Sequence, residues 1–217
     1  MYIDHSSADR RLPPGPVAAA AAPEAVSAPR AGDRQALARA HATLAVGCAF
    51  IVRHAQHRAQ PGKGLPGSSH SRMVGNRLRE LDRFLSLLID ETALCLGSLS
   101  HEPRSFARLR NTPNKLRLVE AMIGVEGEDD VRLRAIGRIG ACLLHCSGSI
   151  HAEPSLRRDI LLADGDTAGL SFLTDAACRL RLAPRTLVSI CQFYGSIGNR
   201  LLAEALRRLS DIDSQAC

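Results

Sequence analysis

Arg138 and His145 are the residues of this 217-residue chain whose types and spacing best suit chemistry. They stand in the segment Leu133-Arg134-Ala135-Ile136-Gly137-Arg138-Ile139-Gly140-Ala141-Cys142-Leu143-Leu144-His145-Cys146, which is otherwise largely apolar and reads as a helix. Seven residues make nearly two helical turns, so the two side chains are offset by only about 20° and project from one face. A permanently charged guanidinium holds an anion, and an imidazole that titrates near neutrality moves a proton. That division of labour suits phosphoryl chemistry. Each residue also has a structural reading. His145 would meet the last carbonyls of its helix and the negative end of the dipole, with Gly148 just beyond, and Arg138 would be solvated or paired with Glu128 or Asp130.

Other constellations point elsewhere more weakly. Cys142, His145, Cys146 and His151 are close enough to suggest zinc, but Cys142 belongs to an apolar run where a small thiol is a common core filler. His54 and His57 lack an accompanying carboxylate or thiol, and no base is fixed beside any cysteine. No metal and no cofactor are therefore expected. The loop Pro61-Gly62-Lys63-Gly64-Leu65-Pro66-Gly67-Ser68-Ser69 lacks both a preceding strand and the order of a phosphate-binding glycine loop. Arg104, Arg108, Arg110, Lys115 and Arg117 form the densest basic zone, suited to a phosphate backbone or to plain solvation. Arg207-Arg208 reads as charge compensation at a helix end.

Composition limits what can position these groups. Aromatic residues make up 3% of the chain and Trp is absent, so Leu, Ile, Val and Ala must build the core, which favours helix on helix. The expected fold is all-α, an up-and-down helical bundle of about five to six helices. The formal charge of +6 tolerates phosphate-bearing partners without demonstrating one. Seven cysteines cannot all pair within one chain, and their scatter fits reduced thiols in a cytoplasmic protein. No run approaches the roughly 18 apolar residues that span a bilayer, so no membrane is expected.

Residues 1–32, rich in Ala, Pro, Ser and Gly, are expected to form a disordered arm, and 33–217 the helical domain. Asp33 is the expected cap of a helix from Arg34 to about Ala59, with Leu37, Ala40, Leu44, Gly47, Cys48 and Ile51 facing inward. A second runs from Ser71 to about Leu99 on Leu78, Leu81, Leu85, Leu88, Ile89 and Leu96. A bend over 100–113 leads to a short helix stopped by Gly124, and an acidic turn, Glu126 to Asp130, precedes the Arg138/His145 helix. Short helices are expected after Ser155 and near Thr167 to Leu180. The last helix runs from Pro184 to about Leu209 on Leu187, Ile190, Cys191, Tyr194, Ile197, Leu201 and Leu202. The run Arg181-Leu182-Ala183-Pro184-Arg185-Thr186 also permits the turn of a DNA-binding helix pair.

Arg138-Ile-Gly-Ala-Cys-Leu-Leu-His145, preceded by the helix Asn114-Lys115-Leu116-Arg117-Leu118-Val119-Glu120 and an acidic loop, resembles the HEPN domain family over about Ala36 to Leu209. The resemblance implies a helical bundle that dimerises through its motif helices, so that two Arg/His pairs form one composite site. It implies metal-independent cleavage of RNA, with Arg138 stabilising the phosphate and His145 assisting proton transfer from the ribose 2′-hydroxyl. RNA, a second copy of the chain and a protein partner such as an antitoxin are the partners implied. Ile139 stands where the family usually has a polar residue. The alternative is a noncatalytic helical module for protein interaction or regulation.

Overall fold

The leucine stripes of the sequence become the buried seams between helices. A computed structural model of the chain describes residues 31–58, 67–96, 106, 109, 111–125, 127, 129–150, 154–164, 172–174 and 179–215. Among the described residues there are six helices: α1 (Ala31–Arg58), α2 (Gly67–Cys95), α3 (Thr112–Ile123), α4 (Asp129–His145), α5 (Pro154–Asp164) and α6 (Pro184–Gln215). A two-stranded antiparallel hairpin, β1 (Phe172–Thr174) and β2 (Leu180–Leu182), precedes α6. The chain is an all-α bundle with this one small hairpin. The expected arm, 1–32, lies outside the described residues except for Ala31 and Gly32, which already open α1. Asp33 therefore stands within the first turn rather than capping it.

The core sits around α2, which packs against α1, α3, α4 and α6, and also touches β2. Leu78, Leu81, Leu85, Leu88 and Ile89 of α2 are buried, as are Leu37, Ala40, Leu44, Cys48 and Ile51 of α1. From α6 come Leu187, Ile190, Cys191, Tyr194, Ile197 and Leu201. Each fully buried Leu or Ile contributes on the order of 2 kcal/mol of transfer free energy, which offsets the entropy of ordering these long helices. The segment Arg34–His57 is, by length and composition, long and apolar enough to cross a membrane, contrary to the expectation that no run approaches that length. Its Leu37, Leu44 and Ile51 face is occupied by α2 and α6.

Two expectations fail for local reasons. Residues 172–174 and 180–182 are strands, not part of a helix over 167–180. Leu180-Arg181-Leu182 alternates buried, exposed, buried with the period of a strand, and Pro184 pushes the residue before it out of the helical region. The same strand rules out a helix–turn–helix at 181–186, because β2, not a helix, leads through Ala183 directly into a 32-residue helix. Smaller shifts occur at helix ends. α3 starts at Thr112, since Pro113 fits its first turn, and it ends at Gly124 with φ 69° as expected. α6 runs to Gln215, beyond Leu209.

α4 ends in a turn through Ser147 (φ 51°) and Gly148 (φ 79°). The Gly148 carbonyl accepts a bond from Leu180 N–H at 2.7 Å, and a Cβ on Gly148 would lie 2.7 Å from the Leu180 carbonyl oxygen. Only glycine permits both the left-handed backbone and this approach, so the turn seats the hairpin against the end of α4.

At the α3–α4 junction Glu120, Asp129 and Asp130 are ion-paired. Arg200 of α6 bridges Glu120 of α3 and Asp129 of α4, and Arg134 joins Asp130 and Asn114. The Glu120 side chain is only 3% exposed. Burial pushes its carboxyl above the usual 4.5, with Arg200 opposing that rise. Arg200→Ala would leave two carboxylates facing each other, one of them buried, at a cost of about 3 kcal/mol. A carboxyl raised on folding contributes stability below 4.5 that is lost as pH rises through its folded value. The deficit of Arg200→Ala, read from urea midpoints, is therefore expected to be largest at neutral pH and to shrink on acidification. A deficit that grows on acidification would refute this account.

Candidate functional site

α4 carries the site because it crosses α2 with almost no side-chain padding. A Cβ on Gly75 would lie 2.7 Å from the Leu144 amide nitrogen and 2.9 Å from the Gly140 carbonyl oxygen. Gly75 thus lets the two backbones touch. Gly140 packs against Leu78, where an added Cβ would be 3.4 Å from that residue's own Cβ. Beside the crossing, Gly137, Gly140 and Ala141 are too small to fill the angle between the helices. A cleft of about 300 Å³ remains, walled by Leu78, Arg79 and Asp82 of α2 and by Ile136, Gly137, Ala141, Leu144 and His145 of α4, with Tyr194 of α6 behind.

Arg138 and His145 are both exposed on α4, as their spacing predicts, but different neighbours meet them. Arg138 reaches to α5. Its Nε donates to one carboxylate oxygen of Asp159 and a terminal nitrogen donates to the other, a fork on a side chain that is only 4% exposed. This bond holds the guanidinium above its ordinary pKa. The ion-pair partner is therefore Asp159 and not Asp130, which Arg134 takes one turn away; Glu128 lies outside the described residues. His145 instead borders the cleft at the last turn of α4. Its imidazole makes no hydrogen bond among the described residues, so the expected contact with terminal carbonyls is not formed. One of those carbonyls is used by the chain itself, with Cys146 and Gly148 N–H both donating to Cys142 O.

Ile139, at the position next to Arg138, is fully buried in the core. Among the described residues no three of His, Cys, Asp and Glu gather as a metal set. Cys142 sits 3.6 Å from the Ser149 carbonyl, Cys146 is exposed, and His151 lies outside the described residues. Of the basic zone, Arg104, Arg108 and Arg110 also lie outside them. Lys115 is engaged inside the fold, bonded to Asp90 at 2.7 Å and placed over the Phe106 ring, while Arg117 is exposed. Arg207 pairs with Glu204 and Asp211, as charge compensation requires.

The cleft adds three polar residues that spacing did not single out. Asp82 accepts a bond from Thr112 at 2.8 Å, and burial raises its carboxyl above the ordinary range. Tyr194 is fully buried, and its hydroxyl has no hydrogen-bond partner among the described residues. Burial and the nearby Asp82 charge push that phenol well above its usual pKa, so it stays protonated. Arg79 stands exposed at the mouth. One sequence signal was available for Tyr194: a hydroxyl in the middle of an apolar stripe must find a partner or remain unpaired.

Removing Arg138 alone would leave the Asp159 charge buried without its fork, so Arg138→Ala is expected to lower stability by about 3 kcal/mol in urea unfolding. Replacing both partners, as Arg138→Met with Asp159→Leu, is expected to recover most of that loss, because no buried charge then remains. A single variant as stable as the parent would show that the pair holds nothing. No protein-family model, curated protein or solved structure matches this chain.

Proposed function

We propose that this protein is a noncatalytic HEPN-like helical module that works through protein contacts, as a homodimer. The observation that carries the reading is the fork between Arg138 and buried Asp159, which commits to an interhelical tie the cation that cleavage would aim at a phosphate. The burial of Ile139 agrees with it, since the position that follows Arg138 carries a core side chain and no polar group to share the work. The docking surface assigned to a second copy is the outer face of α1, where Val46 is 66% and Phe50 53% exposed, with Ala42, Ala45 and Ala49 exposed between and beside them. Large apolar groups grouped on one helix face are the usual sign of a contact surface. In solution the chain is expected to sediment as a dimer, and Phe50→Asp as a monomer of unchanged helicity. A monomeric parent chain would overturn this assignment.

The second reading is metal-independent cleavage of RNA, favoured by the exposure of Arg138 and His145 on one face of the same helix. The two readings separate in one assay, in which labelled single-stranded RNA is incubated in EDTA with the purified chain or with His145→Ala. The noncatalytic reading expects no cutting by either protein. Cutting that yields cyclic phosphate ends and is lost in His145→Ala would replace it with the ribonuclease.

A further inference from the structure

A buried hydroxyl with no partner is costly, on the order of 1–3 kcal/mol, and a fold that keeps one beside an open cleft leaves a bond for something else to make. Tyr194 is in that position. The residue is fully buried and its hydroxyl is unpaired among the described residues, yet it lines the cleft between α2 and α4. Asp82 lines the same cleft, half-buried, with one oxygen taken by Thr112. The opposite polarity stands at the mouth. Arg79 is exposed with no acidic partner among the described residues, and His145 is exposed across from it on α4. Between the two ends the walls are apolar, with Leu78, Ile136 and Leu144.

We propose that this cleft binds a small zwitterion, an aliphatic α-amino acid, with its ammonium toward Asp82 and Tyr194, its carboxylate toward Arg79 and its side chain on the apolar walls. Three features select this class. The inner end offers a carboxylate and a phenolic oxygen, both able to accept from an ammonium. The mouth offers a fixed cation for an anion. A volume of about 300 Å³ is at the small end of ligand pockets and suits a small molecule. A simple anion would satisfy Arg79 and leave Asp82 and Tyr194 unanswered, whereas a simple amine would do the reverse. The site is independent of the dimer; it shares His145 with the RNA-cleavage reading, but the binding measured below does not depend on cleavage.

Gly137 lines the cleft and supplies a test, because a Cβ built there meets nothing within 4 Å and displaces no neighbour. The full chain is titrated calorimetrically with leucine, isoleucine, valine and methionine, and with 4-methylpentanoate and 3-methylbutylamine, which keep one charged end of leucine each. At least one of the four amino acids is expected to bind with one-to-one stoichiometry. The one-ended analogues are expected to bind about tenfold more weakly or worse, the loss of one charge-assisted bond. Gly137→Leu should abolish binding while the protein keeps its helicity and melting temperature. Tyr194→Phe should weaken binding about tenfold yet leave the ligand-free protein as stable as before or more so, because it deletes an unpaired polar atom. A hydroxyl with a merely structural role would instead show a loss of stability and no change in affinity. Absence of binding by all four amino acids, or binding that survives Gly137→Leu, would overturn the proposal.

Discussion

The contact on which the arrangement depends is the crossing of α2 and α4 at Gly75. Two helices normally stand 8–10 Å apart because side chains separate them. Here one lacks a Cβ where the other presents its amide nitrogen and carbonyl oxygen, so backbone meets backbone. This close approach brings Leu78 and Leu81 into one buried core with Ile136 and Ile139 and sets the rotation of α4 about its own axis. Once that rotation is set, Ile139 must point inward, and Arg138 and His145 must point outward. The small residues that allow the approach also leave space beside it. The cleft is thus a by-product of the crossing, and nothing needs to open for it to exist.

Charges then hold the ends of what the crossing begins. Arg138 ties α4 to α5 through Asp159, and Arg200 ties α6 to α3 and α4 through Glu120 and Asp129. Such pairs add little net free energy over well-packed apolar residues, because removing two charges from water costs nearly as much as their attraction returns. Their effect is on uniqueness. A helix of 11 residues such as α5 can slide along a greasy neighbour, but an Arg fork fits a carboxylate in one register. Glu120 and Asp82 are both held above the ordinary carboxylate range by burial, which shows how far the fold has gone in enclosing charge near these ties.

The long helices are legible because their signal is periodic and redundant: six or seven inward positions per stripe must agree, and on α1, α2 and α6 all but Gly47, Leu96 and Leu202 are buried. Gly124 and Pro184 were legible for a second reason, since each acts on its own backbone and needs no partner. The hairpin was not, because three-residue strands carry too few positions for a period, and β2 is held by the turn at Gly148, remote in sequence. Asp159 was hidden in the same way. Its partner is 21 residues distant, and no rule of helical spacing reaches across a chain reversal. The shared face of Arg138 and His145 follows from their spacing on α4, while what each faces depends on α5 and α2, which that spacing does not encode.

Sharing a face is a weaker condition than forming a site. Helical periodicity places two side chains on a face with an error of tens of degrees, whereas chemistry requires that they converge within hydrogen-bond reach of one group. On α4 a seven-residue step separates the two along the axis by about 10 Å, at 1.5 Å per residue. Over that distance Arg138 comes under the influence of α5 and His145 under that of the α2 cleft, so they answer to different neighbours. A second copy bringing its own α4 alongside could reunite an Arg of one protomer with a His of the other. It would first have to draw Arg138 from Asp159, and that withdrawal would strand a carboxylate that is 4% exposed. The cost of stranding a buried charge is what makes the fork a structural commitment.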